Sequence, residues 1–312
     1  MLKKDAMRKI IGIGETVYDI IFRGGKPVDA VPGGSVFNGM ITLGRVGMDC
    51  TFIGEVGADI VGQTILDFMK ENHVRTDWVT RYEGHKTAVS LAYLNESSDA
   101  QYSFYKDYPN NRFPGNTFPE INPDDIVLFG AYFVLNPVLR PHVRKFLDYA
   151  KSKGAILYYD LNFRKNHQHE VELLRETFTD NFRYADIIRG SHEDFEIIFG
   201  NCDFEEIYRN HISEHCPRFI CTYGKNGVRM ADHGQMFSFP SKEITPVSTI
   251  GAGDNFNAGI AYGLIREDVR HSNIDAISPE KLEKLAGYGI AFGTEACMST
   301  SNYVSLDFAK KL

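Results

Sequence analysis

From about residue 124 the chain repeats one unit: a short run of β-branched and aromatic residues, then a stretch with apolar residues at helical spacing. "DIVLFGAY", "GAILYYD", "ADIIRGS" and "RFICTYG" read as strands, and helices are expected from Arg140, Glu170, Glu193 and Phe204. This alternation constrains the fold more than any other feature. Parallel neighbours must be joined by crossovers, and the crossover helices cover both faces of the sheet.

The first third begins in the same manner. "RKIIGIGETVYDIIF" predicts a strand, a glycine turn and a second strand. "GGSVFNGMITLGRVG" places Val36, Phe37, Met40, Leu43 and Val46 on one helical face, and "DIVGQTILDFMKENHV" does the same for Ile65, Phe68 and Met69. "CTFIGE" is a short strand between them. "KTAVSLAYLNESSDAQYSFYKD" differs: it alternates, turns at "NESSD" and alternates again, which is a β-hairpin set into the α/β series. The expectation is one domain over residues 1–312, a doubly wound, mostly parallel sheet with helices on both faces. A small β-lid would come from about 16–33 and 86–106.

Composition removes several functions. The formal net charge is −7 and no block of Lys or Arg forms a stripe for nucleic acid. The five cysteines are odd in number and contain no C-x-x-C, which argues against a disulfide framework and a structural zinc site. The start has no secretory pattern, and the longest clean apolar run, Ile126–Leu135, is too short for a bilayer. A cytoplasmic protein that binds neither membrane nor nucleic acid is expected.

In an open parallel sheet, ligands bind beyond the carboxyl ends of the strands. Three polar sets fall there: Asp160, Asn162 and Arg164; then Ser191, Glu193 and Asp194; then Thr222, Gly224 and Gly227. Strand ends are polar in any case, so each set alone is an ordinary loop. Together they suit a phosphate ligand with a metal. "STIGAGDNFNAGIAYGL" adds a sharper signal. Phe256, Ile260 and Leu264 start a helix near Gly253 or Asp254, directly behind a glycine turn. A capping residue, Ser248 or Thr249, would explain a helix start. Two glycines and an alanine exceed what a cap requires. Exposed N–H groups at such a start hold an anion, and an aspartate beside them suits a base that deprotonates a hydroxyl as it attacks phosphorus. No G-x-x-x-x-G-K-[ST] is present, and "GIGETV" lacks the third glycine of a dinucleotide turn.

"TIGAGDNFNAG" resembles the C-terminal signature of the ribokinase-like, or PfkB, carbohydrate kinases, and Pro32–Leu66 resembles their N-terminal signature. "GETVYDI", "DLNFR" and "TYGKNGV" match further landmarks in order, so the likeness spans essentially the whole chain. It implies a Rossmann-like core with a β-lid over a sugar, ATP as phosphate donor, and Mg²⁺. By that resemblance Asp254 is the base, and Gly251, Ala252, Gly253 and Asp254 supply N–H groups to the γ-phosphate. Asp19, Gly33, Gly34 and Asn38 hold sugar hydroxyls, and Thr222, Gly224 and Gly227 border the nucleotide. Asn162 joins the substrate site. Arg164 meets phosphate charge, its bland alternative being a surface ion pair. The aligned N-x-x-E is "SHED" here, so Asp194 reaches the metal through water on a shorter arm. Ser248 and Ile250 replace Asp and Thr of the signature, which weakens the case for a monovalent-cation site.

The hairpin, with Phe104 and Tyr105, is similar to that of bacterial fructokinases, which implies fructose phosphorylated on a hydroxymethyl oxygen. Ribose, 2-keto-3-deoxygluconate and nucleosides are the alternative acceptors. A non-catalytic sugar sensor is the alternative of another class, and a nicotinamide oxidoreductase a third. Exposed aromatics on the hairpin also suggest a homodimer through the lid.

Overall fold

Hydrogen bonding sorts the strands into two sheets. The structure is a computed structural model and describes residues 8–94, 100–113 and 117–312. The expected turn Asn95–Asp99 lies outside the described residues. The strands are β1 (Lys9–Ile13), β2 (Val17–Arg23), β3 (Lys26–Gly33), β4 (Asp49–Gly57), β5 (Val74–Tyr82), β6 (Lys86–Leu94), β7 (Ala100–Asp107), β8 (Ile126–Gly130), β9 (Ile156–Asp160), β10 (Ile187–Ser191), β11 (Arg218–Thr222), β12 (Val228–Asp232) and β13 (Gln235–Phe239). The helices are α1 (Ser35–Arg45), α2 (Ile60–Glu71), α3 (Arg140–Ser152), α4 (Val171–Tyr184), α5 (His192–Phe199), α6 (Phe204–Ile207), α7 (Ala252–Arg266), α8 (Pro279–Ala296) and α9 (Leu306–Ala309).

The large sheet has nine strands in the order β13-β12-β11-β10-β9-β8-β1-β4-β5. From β11 to β5 every pairing is parallel, and only β12 is reversed, pairing antiparallel with β11 and β13. The chain winds from β1 towards β5 and then from β8 towards β11, so the winding reverses between β1 and β8. That junction is where an open α/β sheet leaves a crevice for a ligand. The α/β doubly wound expectation holds. The central strands are buried on both faces, as β8 and β9 show with no exposed residue. Each fully buried large side chain contributes about 1.5–3 kcal/mol.

The two faces carry separate cores. One is built from α1, α2, α7 and α8, with Phe37, Met40, Phe256 and Ile260 at its centre. The other is built from α3, α4 and α5, with Phe146, Phe178 and Phe195. The expected stripe Phe256, Ile260 and Leu264 is buried, but α7 is buried almost all round because α8 covers its outer side. The start of α8 carries Ser278, whose hydroxyl accepts from the Lys281 N–H, followed by Pro279.

The small sheet has the order β3-β2-β6-β7, made from the two segments expected to form the lid. Its register explains its two faces. Val31, Asp19, Ser90 and Phe104 form one cross-strand row, and Tyr18, Val89 and Tyr105 belong to the next. Rows alternate between faces. Ser90 and Ala92 are buried, so the Asp19 face looks inward. Tyr105 looks outward and is 61% exposed.

Candidate active site

Two helix N-termini meet beyond the carboxyl ends of β8 and β9. The first is that of α1. Gly34 caps it with φ 129°, and a Cβ there would lie 2.2 Å from the Glu15 carbonyl oxygen. Only glycine fits that backbone. The second is that of α7, capped by Gly251 at φ 77° with no side-chain hydrogen bond. Ser248 accepts from the Ile250 N–H instead. The capping alternative therefore fails. The turn is shaped by Gly251 and braced by Asn255, whose Nδ2 donates to the Gly251 and Asn302 carbonyls, each at 2.8 Å. The positive ends of both helices point into one space.

Asp254, third in α7, lies buried in that space. One carboxylate oxygen accepts from Ser35 Oγ at 2.8 Å and Asn162 Nδ2 at 3.3 Å, and the other accepts from Asn38 Nδ2 at 2.8 Å. Burial pushes its carboxyl above the usual range, while Asn38, Arg164, Ser35 and Arg189 pull the other way. Those donors favour the ionised form a base requires. Asn38 is buried, as its apolar neighbours predicted, and its Oδ1 has no hydrogen-bond partner among the described residues.

Ser35 Oγ also lies 3.3 Å from Asp160, at the end of β9. Arg189 Nη1 contacts the other Asp160 oxygen at 2.9 Å, and Nη2 donates to Thr222 Oγ1 at 2.7 Å. Burial pushes Asp160 up to about 6 against the pull of Arg189, so the pair is ionised at neutral pH. The Arg189 guanidinium packs on Gly253 and over the Phe256 ring at 5.8 Å. It thus sets a fixed positive charge directly beneath the anion turn.

The other expected residues fall around this centre. Asn162 has φ 34° and faces Asp254. Arg164 is exposed and its side chain carries no hydrogen bond or ion pair among the described residues, which removes the surface-ion-pair reading; its charge acts to lower the Asp254 carboxyl. Asp19 accepts from Ser90 Oγ and lies against Gly33. Burial pushes its carboxyl up to about 6, opposed by Ser90 and reinforced by Glu15. Phe104 is 45% exposed on the inward face. Gly224 and Gly227 bound a short turn after Thr222, with Lys225 inside it.

Asp194 is placed differently from its expected reach to metal-bound water. It accepts from the Phe163 N–H at 2.7 Å, from the Ser191 N–H at 2.7 Å and from Ser191 Oγ at 2.8 Å. "SHED" is a capping box that starts α5, and it also ties the Asp160–Arg164 loop to that helix. Among the described residues no cluster of three or more His, Cys, Asp or Glu could hold a metal ion.

Ser35, Ser90, Arg189 and Asn255 escaped the sequence reading. Arg189 had a visible signal: a lone charge inside "ADIIRGS", a strand buried on both faces, must find a partner. No helix of the described residues is long and apolar enough to cross a membrane.

Comparison with known proteins agrees with this fold. The chain is 26% identical over 281 residues to a fructokinase from Klebsiella pneumoniae, covering 87% of this chain and 89% of that one. A fructokinase double mutant from Vibrio cholerae O395, in a form with fructose, ADP and potassium ion bound, superposes with a TM-score of 0.85 at 20% identity, over 97% and 96% of the two chains. The aminoimidazole riboside kinase of Salmonella enterica, complexed with aminoimidazole riboside and an ATP analog, gives 0.81 at 19% identity, over 97% and 99%. The pfkB family carbohydrate kinase model matches residues 7–307. With nearly its whole length inside that match, the chain belongs to the pfkB family of carbohydrate kinases.

Proposed function

We propose that the protein transfers the γ-phosphate of ATP to the hydroxymethyl oxygen of a sugar, and that the sugar is fructose. The observation that carries the phosphoryl-transfer reading is Asp254, held between Ser35 and Asn38 behind a glycine turn with no capping side chain. In the proposed reaction Asp254 takes the proton of the hydroxymethyl group while its oxygen bonds to the γ-phosphorus. The bond from that phosphorus to the bridging oxygen breaks, and ADP leaves. The N–H groups of Gly251, Gly253 and Asp254 and the Arg189 charge face the transferring group, whereas the Ala252 N–H donates to the Thr249 carbonyl at 3.3 Å; Arg164 approaches from solvent. No covalent intermediate on the protein is needed, since positioning and charge stabilisation carry this chemistry.

On the sugar side, Asp19 with Gly33, Gly34 and the unpartnered Oδ1 of Asn38 offer acceptors for hydroxyl donors. Phe104 supplies an apolar wall, and the small sheet acts as a lid that keeps water from ATP. Thr222, Gly224 and Gly227 border the nucleotide. Mg²⁺ fits as an ion carried largely by the phosphates and water, its ordinary habit. Asp194 suits only a water-mediated role, because both of its oxygens already accept protein donors. When bound, the ion neutralises phosphate charge. The outward-facing Tyr105 supports pairing of two small sheets in a homodimer.

Fructose is favoured by the Klebsiella relative and by the hairpin; the Salmonella neighbour keeps a riboside in the test. The experiment is ADP release with Mg²⁺-ATP across fructose, ribose, 2-keto-3-deoxygluconate, a nucleoside and no sugar. The highest kcat/KM is expected with fructose. A higher value for another acceptor overturns the substrate, and sugar binding without turnover overturns the enzyme reading in favour of a sensor.

A further inference from the structure

A cavity of about 240 Å³ shares no residue with the site around Asp254. It opens between α4, α5 and the segment Tyr208–Ile212, on the α3–α5 side of the large sheet. Its floor is apolar: Phe178, Phe182, Ile198 and Phe199. Its rim is Arg175, His211 and His215, and no lining residue is acidic. The rim's full positive charge is Arg175, while burial and that charge hold the His211 imidazole below its usual range, so it stands there as a neutral hydrogen-bonding group.

Local structure presents these groups. Tyr208–Ile212 widens into a π-turn, with the Ser213 N–H reaching back to the Tyr208 carbonyl at 2.8 Å. Such turns interrupt a helix at a cost and recur at functional sites. Here it carries His211, whose ring stacks on Phe199 at 4.0 Å. Arg175 pairs with Glu172 one turn away, but that pair is exposed and open to exchange for another carboxylate.

Both walls begin at the active-site loop. The chain runs from Asp160–Arg164 through a short 3₁₀ turn, Lys165–Glu170, directly into α4. α5 is capped by Ser191, and its Asp194 holds the Phe163 N–H. A ligand wedged between α4, from its first residue Val171 onward, and the end of α5 bears on that loop from both sides.

We propose that this cavity is a regulatory site for a small aromatic carboxylate, whose ring lies on the phenylalanine floor, whose carboxylate meets Arg175 and the histidine rim, and whose binding shifts the Asp160–Arg164 loop. The volume falls below the roughly 300–1,000 Å³ of drug-sized sites, so the ligand is correspondingly small. Charge complementarity selects an anion, and the floor selects a flat apolar body over a sugar phosphate. Binding stands independently of the proposed reaction; only its kinetic consequence rests on that reading.

The test uses the full chain with ¹³C-methyl isoleucine and ¹⁵N-amide labels, and benzoate as the probe. A saturable shift of the Ile198 methyl with millimolar benzoate is expected, accompanied by the Phe163 amide. Benzyl alcohol should bind about tenfold more weakly or worse, as should benzoate to Arg175→Gln, the loss of one charge-assisted hydrogen bond. Arg175 is exposed, and an unchanged amide spectrum elsewhere checks that the variant is folded. In the wild type alone, benzoate should change the sugar KM at least about twofold, a modest coupling. No saturable Ile198 shift up to about 50 mM refutes the site, given the weak affinity expected of so small a probe. Equal binding of benzyl alcohol, or an unaltered Arg175→Gln, refutes the anion assignment. An Ile198 shift with the Phe163 amide and sugar KM unmoved refutes the coupling.

Discussion

Replacing Arg189 by Met keeps the side chain's length and removes its charge, and the consequence falls on Asp160. Arg189 is that carboxylate's only ion-pair partner among the described residues, at 2.9 Å, and both groups are buried. Breaking a buried pair by removing one partner costs about 3–5 kcal/mol. Protonation sets the ceiling. Holding Asp160 neutral at pH 7, against a pKa of about 4 in the unfolded chain, costs about 4 kcal/mol at 1.36 kcal/mol per unit. The sign follows from linkage: the folded variant binds one more proton than the unfolded chain, so its stability rises as pH falls. Wild-type Asp160 stays ionised down to about 6 and gains nothing above that pH. The deficit of the variant should therefore shrink by about 1.4 kcal/mol per unit from pH 8 to pH 6 and level off below, where wild-type Asp160 is itself protonated. Equilibrium denaturation at pH 5, 6, 7 and 8 measures this. Adding Asp160→Asn to Arg189→Met removes the orphaned charge and should recover all but about 1 kcal/mol, because a neutral replacement of both partners is tolerated. A deficit below about 1 kcal/mol at pH 7, one that is the same at pH 6 and pH 8, or a double variant no more stable than the single would refute the argument.

Asp254→Asn should lower kcat by about 10²–10⁴, the usual loss for a general base, with sugar and ATP affinity by calorimetry little changed; near wild-type turnover would dismiss Asp254 as the base. Asp19→Ala should raise the sugar KM far more than that of ATP. In the wild type the sugar KM should climb as pH falls through about 6, where Asp19 gains a proton and loses acceptors; a flat sugar KM between pH 7 and pH 5 contradicts the assignment. Phe104 and Tyr105 should separate by face: Phe104→Ala raises the sugar KM and the background ATPase, whereas Tyr105→Ala shifts sedimentation from the proposed homodimer towards monomer. A strictly monomeric wild type at micromolar concentration removes the dimer.

The large sheet was legible because burial on both faces forces continuous apolar strands, as in "IVLFG" and "ILYYD". β5, β12 and β13 were missed for the opposite reason. They lie at the edges, where Arg75, Asp77 and Arg229 dilute the pattern, and only the turn at His233–Gly234, both with positive φ, marks the second hairpin. At the site, Asp254 and Gly251 could be read because a helix start and a turn are local events. Ser35 could not, since its partners Asp160 and Asp254 are 125 and 219 residues away in sequence. Asn255 reaches Asn302 across 47 residues. Contacts of that span are decided by the fold, and one sequence holds no record of them.

The path of the chain between its two sheets has a consequence for how such a protein changes over generations. It crosses at Gly14–Thr16, at Gly34, at Glu83–His85 and beyond Asp107, each of the first three crossings no longer than three residues. Asp19, Gly33, Ser90 and Phe104 lie on one side of those crossings; Asp254, Asp160, Arg189 and the Gly251 turn lie on the other. A substitution in β2, β6 or β7 therefore edits one inventory and leaves the other untouched. Sites that share no hydrogen-bond partner combine nearly additively. A lineage can thus sample new acceptors one replacement at a time, each trial inheriting phosphoryl-transfer machinery that the change never reached.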